Sequence, residues 1–340
     1  MEILRTIKNL TETNKLLSSA FDTLAETPIY KSIIYHRINR YITDIKINKK
    51  YNVIIETTNI CNARCVMCPH TKMKRKQMIM DDTIFYAIIE RLKDDDIKPL
   101  AFLLNGFGEP FTDKKILKRV NILKKNFPLS AVKFYSNFSL VNREIIHKIL
   151  NSGLDEINIS FNGYSKKSYE KVMKLKYDKT LSNVKFLLAE RKRRNNKLKI
   201  RFSMALVSNN DKHVKSFIDK WKTKVDSVSV NKIHSYCQAV QDCSGINKIN
   251  YNKLTYPCKY LWNTLVVGVS GDLFLCCLDY DGKYQMGNIK DSKILDIFYS
   301  KKYENIRRMH LQNKIKKLKI CSECYTPYHN GVEWLISNLY

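Results

Sequence analysis

Between residue 51 and about residue 230 the chain alternates six times between a short run rich in β-branched or aromatic residues and a longer segment of helical periodicity. The strand-like runs are YNVIIET at 51–57, LAFLLN at 100–105, AVKFYS at 131–136, EINISF at 156–161, KIRFSMALV at 199–207 and VDSVSV at 225–230. Between them, Asp81 or Asp82 is placed to cap a helix whose Ile84, Ile88 and Leu92 share one face. A second helix follows Asp113, with Ile116, Leu117, Val120 and Leu123 in register, and a third, NREIIHKILNSG, stops at Gly153. Strand-helix units in succession build a parallel sheet with right-handed crossovers, so the expected class is α/β, curved into a partial (β/α)6 TIM-like barrel. In such folds the chemistry gathers at the C-terminal ends of the strands.

The flanks read differently. Residues 1–50 are helical in pattern, a packing collar rather than a membrane-surface helix, and the expected domains are 1–50, 51–235 and 236–340. The 340-residue length is enough to bury a sizeable core beside a small C-terminal α+β unit. No apolar run has bilayer-spanning length, and the first residues are polar where a secretory signal would be apolar. A cytoplasmic location follows as an expectation, and there ten cysteines are metal ligands or free thiols rather than disulfides. With 60 Lys and Arg against 32 Asp and Glu the formal charge is +28, but the lysines are spread along the whole chain. The densest cluster, RKRRNNKLK at 191–199, reads as a solvated helix end. No RNA-binding signature accompanies the charge, so nucleic acid is not the expected partner.

Polar motifs follow four of the six strands. Cys61, Cys65 and Cys68 follow the first, NGFGEPF (105–111) the second, SNFS (136–139) the third, and SFNG (160–163) closes the fourth. Loops held by a rigid sheet are where binding residues gather, and these four converge on one pocket. Three thiols spaced by three and then two residues suit iron–sulfur ligation, leaving one iron open for chemistry. A zinc site borrowing His70 as fourth ligand, or plain buried thiols, would be the alternatives.

The Cys61-x-x-x-Cys65-x-x-Cys68 loop and the GxGEP segment at 106–110 resemble the signatures of radical S-adenosylmethionine enzymes. The resemblance implies a [4Fe–4S] cluster whose open iron chelates S-adenosylmethionine, and one electron from a flavodoxin- or ferredoxin-type reductant to release a 5′-deoxyadenosyl radical. By the same resemblance Gly106, Gly108, Glu109 and Pro110 form the segment that receives the methionyl amino group through backbone carbonyls. Ser136, Asn137 and Ser160 become ribose or carboxylate contacts. Met67 takes the place of the aromatic that often packs on adenine, as a polarisable thioether is able to do.

Beyond the sixth strand, TLVVGV and DLFLCC form a hairpin about Ser270 and Gly271, and one basic helix is expected over 293–311. Cys258, Cys276, Cys321 and Cys324 make a complete ligand set for a second cluster or a zinc. Cys258, Gly271 and Cys276, with GNI at 287–289, resemble the SPASM or shorter Twitch extension, which implies one auxiliary [4Fe–4S] cluster. Cys277 is the adjacent alternative to Cys276, and Cys237 and Cys243 remain ordinary thiols. A cluster held by four thiolates accepts electrons rather than substrate, as in the aminocyclitol dehydrogenase type. The expected reaction is oxidation or epimerisation of a small sugar- or aminocyclitol-like substrate, with peptide modification as the alternative.

Overall fold

The computed structural model describes residues 27–207, 211–236, 239–240, 256–322, 324 and 326–327. Cys237, Cys243 and the first 26 residues of the expected helical collar lie outside them. The rest of the collar is one helix, α1 (Pro28–Asn48), whose N-terminal amide at Tyr30 bonds the Thr27 hydroxyl. It ends where Lys49 enters the left-handed region at φ 48° and the chain turns into β1 (Lys50–Ile55).

The six alternating units form as expected. The helices α2 (Asp82–Asp94), α3 (Ile116–Asn126), α4 (Arg143–Leu150), α5 (Lys166–Met173), α6 (Tyr177–Arg193) and α7 (Asp211–Trp221) intervene between β2 (Lys98–Leu103), β3 (Ala131–Ser136), β4 (Glu156–Ser160), β5 (Lys199–Ala205) and β6 (Ser227–Asn231). Asp81 rather than Asp82 caps α2, accepting from the Thr83 amide at 2.8 Å. The Ile84, Ile88 and Leu92 stripe is buried beneath it, as the periodicity requires. Strands β1 to β6 are parallel neighbours in chain order, an open partial (β/α)6 barrel.

Three more strands extend that sheet. β7 (Thr264–Val267) pairs parallel with β1, then β8 (Asp272–Phe274) and β9 (Gln285–Asn288) add antiparallel, giving the order β6-β5-β4-β3-β2-β1-β7-β8-β9. The expected hairpin is present, with Gly271 at φ +87°, where a side chain would be strained. Its strands continue the main sheet instead of standing apart, because β1 has a free edge that the all-apolar Leu265-Val266-Val267 run covers. The single helix expected over 293–311 is instead two, a short helix at Ile294–Phe298 and α8 (Lys301–Leu311). Ser300 breaks it, capping α8 by accepting from the Tyr303 amide. The basic 191–199 cluster is a helix end, with Glu190 paired to Arg193 and Arg194, and Arg191 paired to Asp226.

One large apolar core lies between the sheet and its helices, and a second, small one of Ile54, Val266 and Phe274, joined by Leu103, forms on the concave face. Alternation along the strands decides this: Val53 and Ile55 face the helices, so Ile54 and Glu56 face the interior. Arg119 of α3 is buried against Asp113 (2.8 Å), the Met80 carbonyl (2.6 Å) and the Phe85 ring. It fixes the end of the GxGEP loop to the main core. Replacing it leaves the Asp113 carboxylate buried and unpaired, so Arg119→Leu is expected to cost about 3–5 kcal/mol in urea unfolding.

Candidate active site and cluster-binding residues

All four loops singled out in the sequence open onto one cavity of about 630 Å³ at the C-terminal ends of the parallel strands. Cys61, Cys65, Cys68 and Met67 form part of its wall, with Gly106, Gly108 and Glu109 beside them and Ser136, Asn137 and Ser160 next along the sheet. Cys276 and Cys277 line the same cavity from the β8 side. Ser203 lines it from β5, one pleat above Arg201, which pairs with Glu156 and does not reach the cavity wall. The same parity on β4 turns Asn158 inward below Ser160.

The cysteine loop is held from several directions. Asn59 accepts from the Met78 amide at 2.7 Å and donates to the Lys76 carbonyl at 2.9 Å, closing the loop at its base. Asn62 bridges to the next element, donating to the Ser139 hydroxyl at 2.9 Å and accepting from the Asn137 amide nitrogen at 2.9 Å. Glu56, at the end of β1, takes a two-pronged contact from Arg75 (2.7 and 3.0 Å) and a bond from the Phe107 N–H at 2.9 Å. Sequence reading missed these three, although an acid immediately after a strand and upstream of a functional loop is the available signal.

The GxGEP segment is equally built. A Cβ on Gly108 would lie 2.2 Å from the Thr58 carbonyl oxygen, and one on Gly106 would lie 2.2 Å from the Glu56 side chain. Glu109 is buried and accepts from the Ser136 hydroxyl (2.6 Å), the Asn137 N–H (2.7 Å) and the Phe111 N–H (3.3 Å). Burial pushes its carboxyl up to about 7, against those three donors, which favour the ionised form. Ser136 also accepts from the Phe138 N–H, and Asn137 Oδ1 accepts from Ser139 twice. These two side chains therefore face the cavity but spend their hydrogen bonds in tying the second and third loops together. The Glu109 and Pro110 carbonyls already accept from Thr112 and Asp113, whereas none of the described donors reaches the Gly108 carbonyl.

The three thiols are half-buried on the cavity wall. Burial pushes Cys61 up to about 12 and raises Cys65 and Cys68 as well, so each is a neutral thiol until a cation compensates its charge. Among the described residues no three His, Cys, Asp or Glu side chains stand ready as a metal site. Cys65 Sγ instead contacts Met173 Sδ at 3.5 Å, so gathering the sulfurs requires side-chain rotation. His70 turns Nε2 to the Asn59 carbonyl at 2.9 Å and is absent from the cavity wall, which removes the fourth ligand a zinc site would need.

At the C-terminal end, Cys321 and Cys324 repeat the local geometry of Cys65 and Cys68. In each pair the second N–H donates to the carbonyl of the first at 3.1 Å. Such a turn presents two sulfurs on one side, as cluster ligation needs. Cys276 raises the Cys324 thiol, itself pushed up mainly by burial to about 11, so the two are within electrostatic reach. Cys277 is exposed. Cys258 presents its N–H to His310 Nδ1 at 3.3 Å. The donor set, two cysteine-only groups of which the second shares the cavity wall through Cys276, fits iron–sulfur clusters.

A model of the radical SAM superfamily matches residues 55–220, and a model of the SPASM iron-sulfur cluster-binding domain matches residues 258–325. The chain belongs to the radical SAM superfamily and carries a SPASM domain. It is a radical SAM enzyme with an S-adenosylmethionine-binding [4Fe–4S] cluster and an auxiliary cluster. Among curated proteins it is 22% identical over 281 residues to the S-adenosyl-L-methionine-dependent 2-deoxy-scyllo-inosamine dehydrogenase of Niallia circulans, covering 82% of this chain and 94% of that one. Three solved structures share the fold of this radical SAM protein. They are BtrN in complex with AdoMet and 2-DOIA (TM-score 0.56, 18% identity, 81% of this chain and 92% of that one), anSMEcpe with bound AdoMet (0.59, 15%, 84% and 96%), and Streptococcus suis SuiB bound to precursor peptide SuiA (0.62, 13%, 79% and 70%). No described helix of this SPASM-containing chain is long and apolar enough to cross a membrane.

Proposed function

We propose that this radical SAM enzyme oxidises a hydroxyl-bearing carbon of a small polar substrate of the sugar or aminocyclitol class. The observation that carries the reading is the single cavity of about 630 Å³ with Cys61, Cys65 and Cys68 in one wall and Cys276 and Cys277 in another. That volume, which S-adenosylmethionine and the substrate would share, lies in the range of small-molecule sites. The curated relative that spans most of the chain is a dehydrogenase of an inosamine.

Cys61, Cys65 and Cys68 would hold the first cluster, the Gly106–Pro110 segment and Ser160 would contact S-adenosylmethionine, and Met67 would pack on its adenine. Cys258, Cys276, Cys321 and Cys324 would hold the auxiliary cluster. When bound, these groups supply a 5′-deoxyadenosyl radical and a one-electron acceptor. The chain supplies the setting. Ile54, Leu103, Val266 and Phe274 give the cavity a water-excluding floor, while Ser203, Asn231 and Lys232 present polar groups from β5 and the end of β6. His234 also lines the cavity, and burial depresses it to about 4, so its imidazole stays neutral. A neutral imidazole at the cavity wall can accept a hydrogen bond from a substrate hydroxyl and orient it. The cavity's carboxylates are otherwise engaged: Glu56 by Arg75, Glu109 by Ser136 and Asn137, and Asp279 by the Lys283 and Tyr284 amides.

Anoxic reconstitution with a panel of polyols, sugars and aminocyclitols is expected to yield one 5′-deoxyadenosine per carbonyl product. Formation of 5′-deoxyadenosine without carbonyl product or deuterium exchange across the panel would sink the reading. Peptide modification is the second reading, favoured by the likeness to SuiB bound to its precursor peptide. A cross-linked or oxidised peptide product would establish it. A cytoplasmic setting and an acidic flavodoxin- or ferredoxin-type electron donor accompany both readings and suit the +28 charge.

A further inference from the structure

His310 is 1% exposed and lies on the inner face of α8, one turn beyond Ile306 and two beyond Tyr303, all of them buried. The face runs alongside both halves of the C-terminal cysteine set. At one end the Tyr303 hydroxyl reaches the carbonyls of Phe274 and Leu275, immediately before Cys276. At the other, His310 Nδ1 accepts from the Cys258 N–H at 3.3 Å. Arg307 clamps the helix between them, donating to the Leu261 carbonyl at 2.9 Å and lying over the Phe298 and Tyr303 rings.

Because Nδ1 receives an amide proton it carries none of its own, and the imidazole's proton resides on Nε2. That Nε2 is buried and has no hydrogen-bond partner among the described residues. An unanswered buried donor is costly, and native structures seldom keep one without an acceptor outside the protein. We infer that the His310 Nε2–H donates to a sulfur of the auxiliary cluster, making His310 a positioning residue that sets the cluster's reduction potential. Hydrogen bonds to cluster sulfurs stabilise the more negative, reduced state and so raise the potential. The inference rests on the C-terminal cysteines holding a cluster and is independent of the dehydrogenase reading.

The test is a redox titration followed by electron paramagnetic resonance on reconstituted full-length chain in which Cys61, Cys65 and Cys68 are alanine, so that the signal comes from the auxiliary cluster alone. In that background His310→Asn keeps an acceptor for the Cys258 amide and removes the distal donor. It is expected to lower the reduction equilibrium at least tenfold, a shift of 59 mV for one electron. His310→Gln restores a donor at the reach of Nε2 and is expected to return the potential towards that of the His310 chain, with iron content unchanged in both. An unaltered potential in His310→Asn, or equal iron loss in both variants, would overturn the assignment. So would the absence of any cubane signal from the triple-alanine chain.

Discussion

Cys65→Ala is expected to abolish 5′-deoxyadenosine formation and to remove about half of the bound iron, leaving the auxiliary cluster in place. The size of the effect follows from the absence of spare ligands: His70, the only candidate substitute in the loop, is committed to the Asn59 carbonyl. Burial pushes the Cys61 thiol up to about 12, so two remaining thiols are a poor trap for a cluster whose charge they must balance. The complementary variant, Cys276→Ala, is expected to keep 5′-deoxyadenosine formation and lose the oxidised product. Iron analysis and chromatographic quantification of both products separate the two outcomes. If Cys65→Ala still cleaves S-adenosylmethionine, the assignment of the trio is wrong.

Gly108→Ala is expected to reduce S-adenosylmethionine cleavage by about 100-fold or more while the chain remains folded. The added Cβ would fall 2.2 Å from the Thr58 carbonyl oxygen and 2.9 Å from that of Ile60, both backbone atoms of the segment leading into Cys61. Neither is a flexible side-chain end that could yield, so the loop itself must move. It is tied by the Glu109 N–H to the Ile60 carbonyl at 2.9 Å and by Glu109 to Ser136 and Asn137. A displacement of about 1 Å in reactant placement costs on the order of 10²-fold in rate. S-adenosylmethionine affinity by calorimetry and cleavage rate under dithionite are the readouts. Wild-type values for both would show that the loop does not position the nucleotide.

Sequence alone determined the parallel strand-helix order and the three-cysteine loop, because both are local: periodicity of apolar residues and spacing of thiols need no partner elsewhere. The burial of Ile84, Ile88 and Leu92 and the convergence of four loops at one end of the sheet follow from those patterns. The tertiary structure decided what depends on non-local pairing. Nothing within the Thr264–Val267 run says that its partner is β1, more than 200 residues earlier, because a short apolar strand will cover any open edge. Nor does the sequence show that Ser136 and Asn137 bond Glu109, that Asn62 joins the first loop to the third, or that His310 reaches the Cys258 amide. Each of these is a hydrogen bond between residues far apart in the sequence, brought together only when the sheet assembles. Spacing names the candidate ligands; the geometry that orients them is a property of the folded chain.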